Sequence, residues 1–105
     1  MHTEGTIFTH YSPANNYLAI RFYGDSMANS GILDGAVLII QKQSSFSGGN
    51  IVMAILNNKR IAIMRYKTMG NQNFLMSDDK TSNILVVDDN IQLVGIVIEV
   101  RNKLL

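Results

Sequence analysis

An all-β domain is the fold class that the sequence predicts, and three observations carry the prediction. Apolar runs are short and end at Gly, Asn, Asp or Pro, the pattern of strands joined by tight turns. Where a run alternates it does so at period two, as a strand with one buried face requires. The one helix candidate is a turn or two over residues 25–30, stopped by Gly31. There are no repeats, low-complexity tracts or linkers, so residues 1–105 are expected to form a single domain.

Taken in order, residues 1–11 read as a loose N-terminal arm, followed by a turn cluster over 12–16 (Ser-Pro-Ala-Asn-Asn). Residues 17–23 form a strand with Leu18, Ile20 and Phe22 on one face. The pair Asp34-Gly35 opens a strand over 36–41. Residues 51–56 and 59–66 make a hairpin around Asn57-Asn58, because asparagine tolerates the positive φ of a tight turn. A turn over 70–73 leads to a brief strand at 74–76, then a polar loop over 77–83. A last two-strand unit covers 84–87 and 91–101, joined by Asp88-Asp89-Asn90. Residues 93–98 are apolar at almost every position, which predicts cover on both faces. One cover is the core; the other is expected to be a second copy of the chain.

Composition narrows the function classes. Hydrophobic residues make up 47% of the 105 and charged ones only 16%, against roughly 25% in ordinary soluble domains. So little charge also predicts an oligomer. A net charge of +1 and no Lys/Arg run argue against direct nucleic-acid binding, which needs a basic stripe. With no cysteine there is neither a disulfide nor a thiolate metal site. His2 and His10 read as surface residues, so no metal and no cofactor is expected. No apolar run approaches the roughly 18 residues of a membrane span. The first residues lack the basic and apolar regions of a signal peptide. A cytoplasmic protein with no membrane partner is expected.

The one chemically pointed feature is Gly24-Asp25-Ser26-Met27. A serine hydroxyl needs a base to become nucleophilic, and the oxyanion formed on attack needs aimed N–H donors. A glycine before the serine and a helical turn after it suit both needs. The nucleophile elbow Gly-x-Ser-x-Gly is excluded by Ala28. Lipases that begin Gly-Asp-Ser are excluded because no histidine follows Ser26.

The continuation of this motif is more specific. Tyr23-Gly24-Asp25-Ser26-Met27 is followed by Gly31-Ile32-Leu33-Asp34-Gly35 and the apolar Val37-Leu38-Ile39-Ile40. Then come Gly49-Asn50-Ile51-Val52-Met53-Ala54 and, near the end, Leu93-Val94-Gly95-Ile96-Val97. In order and spacing, over roughly residues 12 to 101, this resembles the LexA/UmuD family of self-cleaving serine–lysine peptidases. The resemblance implies bent, signal-peptidase-like β-sheets, a homodimer and a role in the bacterial DNA-damage (SOS) response. It implies Ser26 as nucleophile and the backbone N–H groups of Asp25 and Ser26 as the oxyanion site.

The same family uses a buried neutral lysine as base, in the pattern Val-Lys-Arg-Leu. Here that pattern is Ile63-Met64-Arg65-Tyr66, so Met64 occupies the position of the general-base lysine. Strand parity turns Lys59 and Lys67 away from Met64. Arg60 would lie about 13 Å away along the strand, and guanidinium does not deprotonate in proteins. Two turn-forming acids of the family are also replaced, by Ala36 and Asn50. No helix-turn-helix fits into the first 20 residues, and Ala-Gly or Cys-Gly, the family's scissile pairs, do not occur.

The chain therefore resembles processed UmuD. Three readings follow: a processed or degenerate regulatory subunit acting by binding, with a translesion polymerase or recombinase filament as partner; an active autopeptidase using an unidentified base; or an engineered Lys-to-Met inactive variant.

Overall fold

The structure is a computed structural model. It describes the backbone of residues 4–12, 16–78 and 84–102, and the side chains of the last two segments. Eight strands form one antiparallel sheet: β1 (Glu4–Ser12), β2 (Tyr17–Tyr23), β3 (Val37–Lys42), β4 (Ile51–Ile55), β5 (Ile61–Met69), β6 (Gln72–Met76), β7 (Ile84–Val86) and β8 (Gln92–Arg101). Their order across the sheet is β1-β2-β3-β8-β4-β5-β6-β7. Among the described residues a single 3₁₀ turn, Ala28–Ser30, ends at Gly31 in the left-handed region. The all-β prediction holds, and among the described residues no helix is long and apolar enough to cross a membrane.

Two apolar clusters, one on each side of the central strands, explain the sequence pattern. The first gathers Ile20 and Phe22 of β2, Leu38 and Ile40 of β3, Met53 and Ile63, with Met27, Ile32 and Ala36 from the connection after β2. Leu18 packs against it, so the period-two face of β2 is the one expected. The second holds Val52, Ala54, Ala62, Met64, Tyr66 and Leu75. Strands β4 and β5 pair Val52 with Met64, Met53 with Ile63 and Ala54 with Ala62. Alternate residues thus enter opposite clusters, and a strand buried on both faces reads as a continuous apolar run.

The same logic applies to β8. Val94, Val97 and Val100 pack on the first cluster, and Leu93 and Ile96 on the second. Both faces of its middle meet the chain's own clusters, but Leu93, Val94, Ile96 and Val97 are only half-buried and Ile98 is exposed, which leaves room for the expected second copy. A spacing of three replaces two because β8 carries two extra residues. Val94 is skipped in pairing with β4, and Ile98 in pairing with β3. Each is a bulge that re-aims the side chains beyond it.

Two smaller differences stand out. Where a loose arm was expected over residues 1–11, Glu4–Ser12 is a strand paired with β2. Its Thr, Ile, Phe and Tyr content suits an extended backbone on the open edge of β2. In the β4–β5 hairpin the positive φ falls on Lys59, at 66°, rather than on the asparagines. Lys59 N–H donates to Leu56 C=O at 2.8 Å, the three-residue loop in which a turn is followed by a left-handed residue. Residues 13–15 of the first turn cluster and 79–83 of the polar loop lie outside the described residues.

Candidate active site around Ser26

The serine turn hangs between two fixed points. Strand β2 ends at Tyr23, and Gly24 turns the chain with φ 109°, a conformation that favours glycine. The Gly24 N–H donates to Asp34 Oδ1 at 2.7 Å. Gly35 N–H donates to Phe22 C=O at 2.7 Å, and Phe22 N–H to Ala36 C=O at 2.8 Å. Asp34-Gly35 therefore closes the far end of the same excursion onto β2. Between them, Ala28 N–H reaches Asp25 C=O, and both Ser30 and Ile32 donate to Met27 C=O. Met27 and Ile32 are fully buried in the first cluster, which pins the turn to the core. Ser26 is 5% exposed, the only buried polar side chain among the described residues. Asp25, the other residue of the expected oxyanion site, is exposed.

Polar contacts join this turn to strands β5 and β6. The Ser26 C=O accepts the Asp78 N–H at 2.9 Å. Asn29 Nδ2 donates to the Asp78 C=O at 3.2 Å, and the Ser30 hydroxyl bonds Asp78 Oδ2. Arg65 Nη2 donates to Ser30 Oγ at 2.5 Å and Nη1 to Gly49 C=O at 2.7 Å, while its Nε lies 3.6 Å from Asp78 Oδ1.

Met64, one residue before Arg65, is 6% exposed and belongs to the second cluster with Val52, Tyr66 and Leu75. The strand parity used in the sequence reading holds inside β5: Ile63 enters one cluster, Met64 and Tyr66 the other. It does not extend to Lys59 and Arg60, because β5 begins only at Ile61. The described lysines 42, 59 and 67 are all exposed. A lysine base needs burial to lose its proton near neutral pH, and none of these three has it.

The replaced acids have local explanations. Asn50 Oδ1 accepts the Ser47 N–H at 2.8 Å, a turn bond that an aspartate oxygen would make equally well. Ala36 is fully buried in the first cluster, where a carboxylate would be costly. Among the described residues no three His, Cys, Asp or Glu side chains cluster as a metal site.

Ser30 and Asp78 were invisible to sequence reasoning. Their polar side chains lie 48 positions apart, and no periodicity links them. Arg65 stood in view only as the neighbour of Met64.

Comparison with known proteins shows the family. The family model described as Peptidase S24-like matches residues 3–98. The LexA repressor of Clostridioides difficile (strain 630) is 32% identical over 85 residues, 80% of this chain and 40% of that protein. That of Clostridium novyi (strain NT) is 31% identical over 91 residues, 85% of this chain and 44% of the repressor. That of Tolumonas auensis is 29% identical over 100 residues, 92% of this chain and 47% of the repressor. The chain thus spans less than half the length of these curated relatives. With a buried serine after a glycine turn, an all-β sheet around it and a family match along nearly the whole chain, this protein belongs to the Peptidase S24-like family.

Proposed function

We propose that the chain is a LexA-like regulatory domain of the bacterial DNA-damage response that acts by binding rather than by cleavage. Its serine is retained and its base is lost. One observation supports this reading: Met64, the residue that the resemblance aligns with the family's lysine, is sealed into an apolar cluster. Methionine matches lysine in length and offers no basic nitrogen. Ser26 then keeps an ordinary hydroxyl, and the N–H groups of Asp25 and Ser26 form an oxyanion site that has nothing to stabilise. As a regulatory subunit the domain pairs with a second copy, like processed UmuD, and docks on a translesion polymerase or recombinase filament in the cytoplasm.

Restoration tests the proposal. Met64→Lys places an amine among Val52, Tyr66 and Leu75, where desolvation lowers its pKa. With an arm carrying an Ala-Gly or Cys-Gly bond, fused upstream or added in trans, the variant should cleave with a rate that rises with pH. The gain should be on the order of 100- to 10,000-fold, and Ser26→Ala should abolish it. Equal cleavage by the unmodified protein would mean that another group serves as base, and the binding-only reading would fall.

A further inference from the structure

The segment carrying Ser26 has little secondary structure of its own to hold it. Its regular part is three residues of 3₁₀ turn, a geometry used in short pieces because its hydrogen bonds are poor. Met27 and Ile32 anchor one side in the first cluster. The rest is tied down by polar contacts: Asn102 bonds the Gly31 C=O and the Leu33 N–H at the far end, and the contacts nearest Ser26 converge on Arg65 and Asp78.

Arg65 uses its planar fork in three directions: Nη1 on the Gly49 carbonyl, Nη2 on the Ser30 hydroxyl, and Nε toward Asp78. The Ser30 hydroxyl accepts from Arg65 and bonds Asp78 Oδ2, so it sits between the two charges. Asp78 also engages the turn through its backbone, giving its N–H to Ser26 C=O and accepting from Asn29 at its own C=O. The Arg65 and Asp78 side chains are 28% and 15% exposed, more sheltered than a surface pair that salt would screen. One end of this clamp is the backbone of Ser26 itself. The other is the residue that follows position 64 on β5.

We propose that Arg65 and Asp78 are positioning residues for Ser26: meeting at Ser30, they fix the serine turn relative to position 64. The proposal rests on the reading of Ser26 as the nucleophile position. It adds that the setting of the nucleophile is held by groups separate from the base, and so has outlasted the base. Lysine cannot replace Arg65, because an ammonium on a flexible stem does not span three acceptors in one plane.

Amide hydrogen exchange on the otherwise unmodified protein tests the clamp without needing activity. In Asp78→Ala and Arg65→Gln, the amides of Ala28, Ser30, Gly31 and Ile32 should exchange about tenfold faster, while those of β3 and β8 keep their protection. Ser30→Ala removes the central hydroxyl with no change of charge and serves if either charge variant fails to fold. Arg101→Gln, which breaks the exposed pair with Glu99 but keeps the Asn102 bonds to Gly31 and Leu33, should leave the turn unchanged.

A second readout separates positioning from general stability. In the Met64→Lys background with the arm in trans, Ser30→Ala should lower kcat about 10- to 100-fold with KM nearly constant, at a temperature where both proteins are fully folded. Turn amides that do not respond, or a kcat that stays level while they do, would overturn the proposal. If Met64→Lys cleaves nothing, the reading of Ser26 falls by itself, and the exchange pattern still decides whether the clamp exists.

Discussion

At position 64 a methionine packs among Val52, Tyr66 and Leu75, its thioether sealed into an apolar cluster. The burial of Met64 was legible from sequence, because it lies in an apolar stretch of β5. The polar partners of the turn were not. Ser30, Arg65 and Asp78 are ordinary surface types in the sequence, and only the fold brings them together. Gly95 is an intermediate case. It is the one residue of the last apolar run without a side chain, and the structure supplies the reason. A Cβ there would lie 2.3 Å from the Gln41 carbonyl oxygen and 2.9 Å from Ile40 Cγ2. The nearer obstacle is backbone of the paired strand β3, which cannot swing aside. Gly95→Ala should therefore destabilise the protein by about 1–3 kcal/mol or more, read as a lower denaturant midpoint. An unchanged midpoint would mean that β3 and β8 do not pair in this register.

Among the elements, the β4–β5 hairpin shows how far turn chemistry reaches. Asn57-Asn58 located the turn correctly but not the residue that bears the positive φ, because a three-residue loop pushes that role one position onward, to Lys59. A non-glycine residue in that region costs roughly 1–2 kcal/mol, and glycine loses part of that gain to its freedom in the unfolded chain. Lys59→Gly is expected to raise stability by roughly 0.5–1 kcal/mol, measurable by thermal unfolding. Destabilisation would instead mean that the Lys59 side chain makes a contact worth more than the strain. Strand β8 was legible as a strand but not in its pairing. Its two bulges fall at Val94 and Ile98, apolar residues among apolar neighbours, so no polar residue marks the break in alternation. The unbroken run then suggested cover on both faces, and the two clusters supply part of it.

For the molecule as a whole, self-association is argued from the surface, which includes the half-buried and exposed residues of β8. Tyr23, Leu33 and Ile98 are each more than two-fifths exposed, and the low proportion of charge stands. A dimer is expected in light scattering at high micromolar concentration. A monomer there would remove the dimeric subunit from the proposed function. The strand order carries a different consequence, one of timing. β8 is synthesised after every other strand, yet it lies between β3 and β4. Until residues 92–101 have left the ribosome, β3 and β4 each face water with a row of unpaired amides and carbonyls, the template on which foreign strands add. The first cluster draws on both sides of that gap, so neither half can complete its core while the nascent chain waits. Insertion of the last-made strand both joins the two halves and ends the interval in which the chain is open to aggregation.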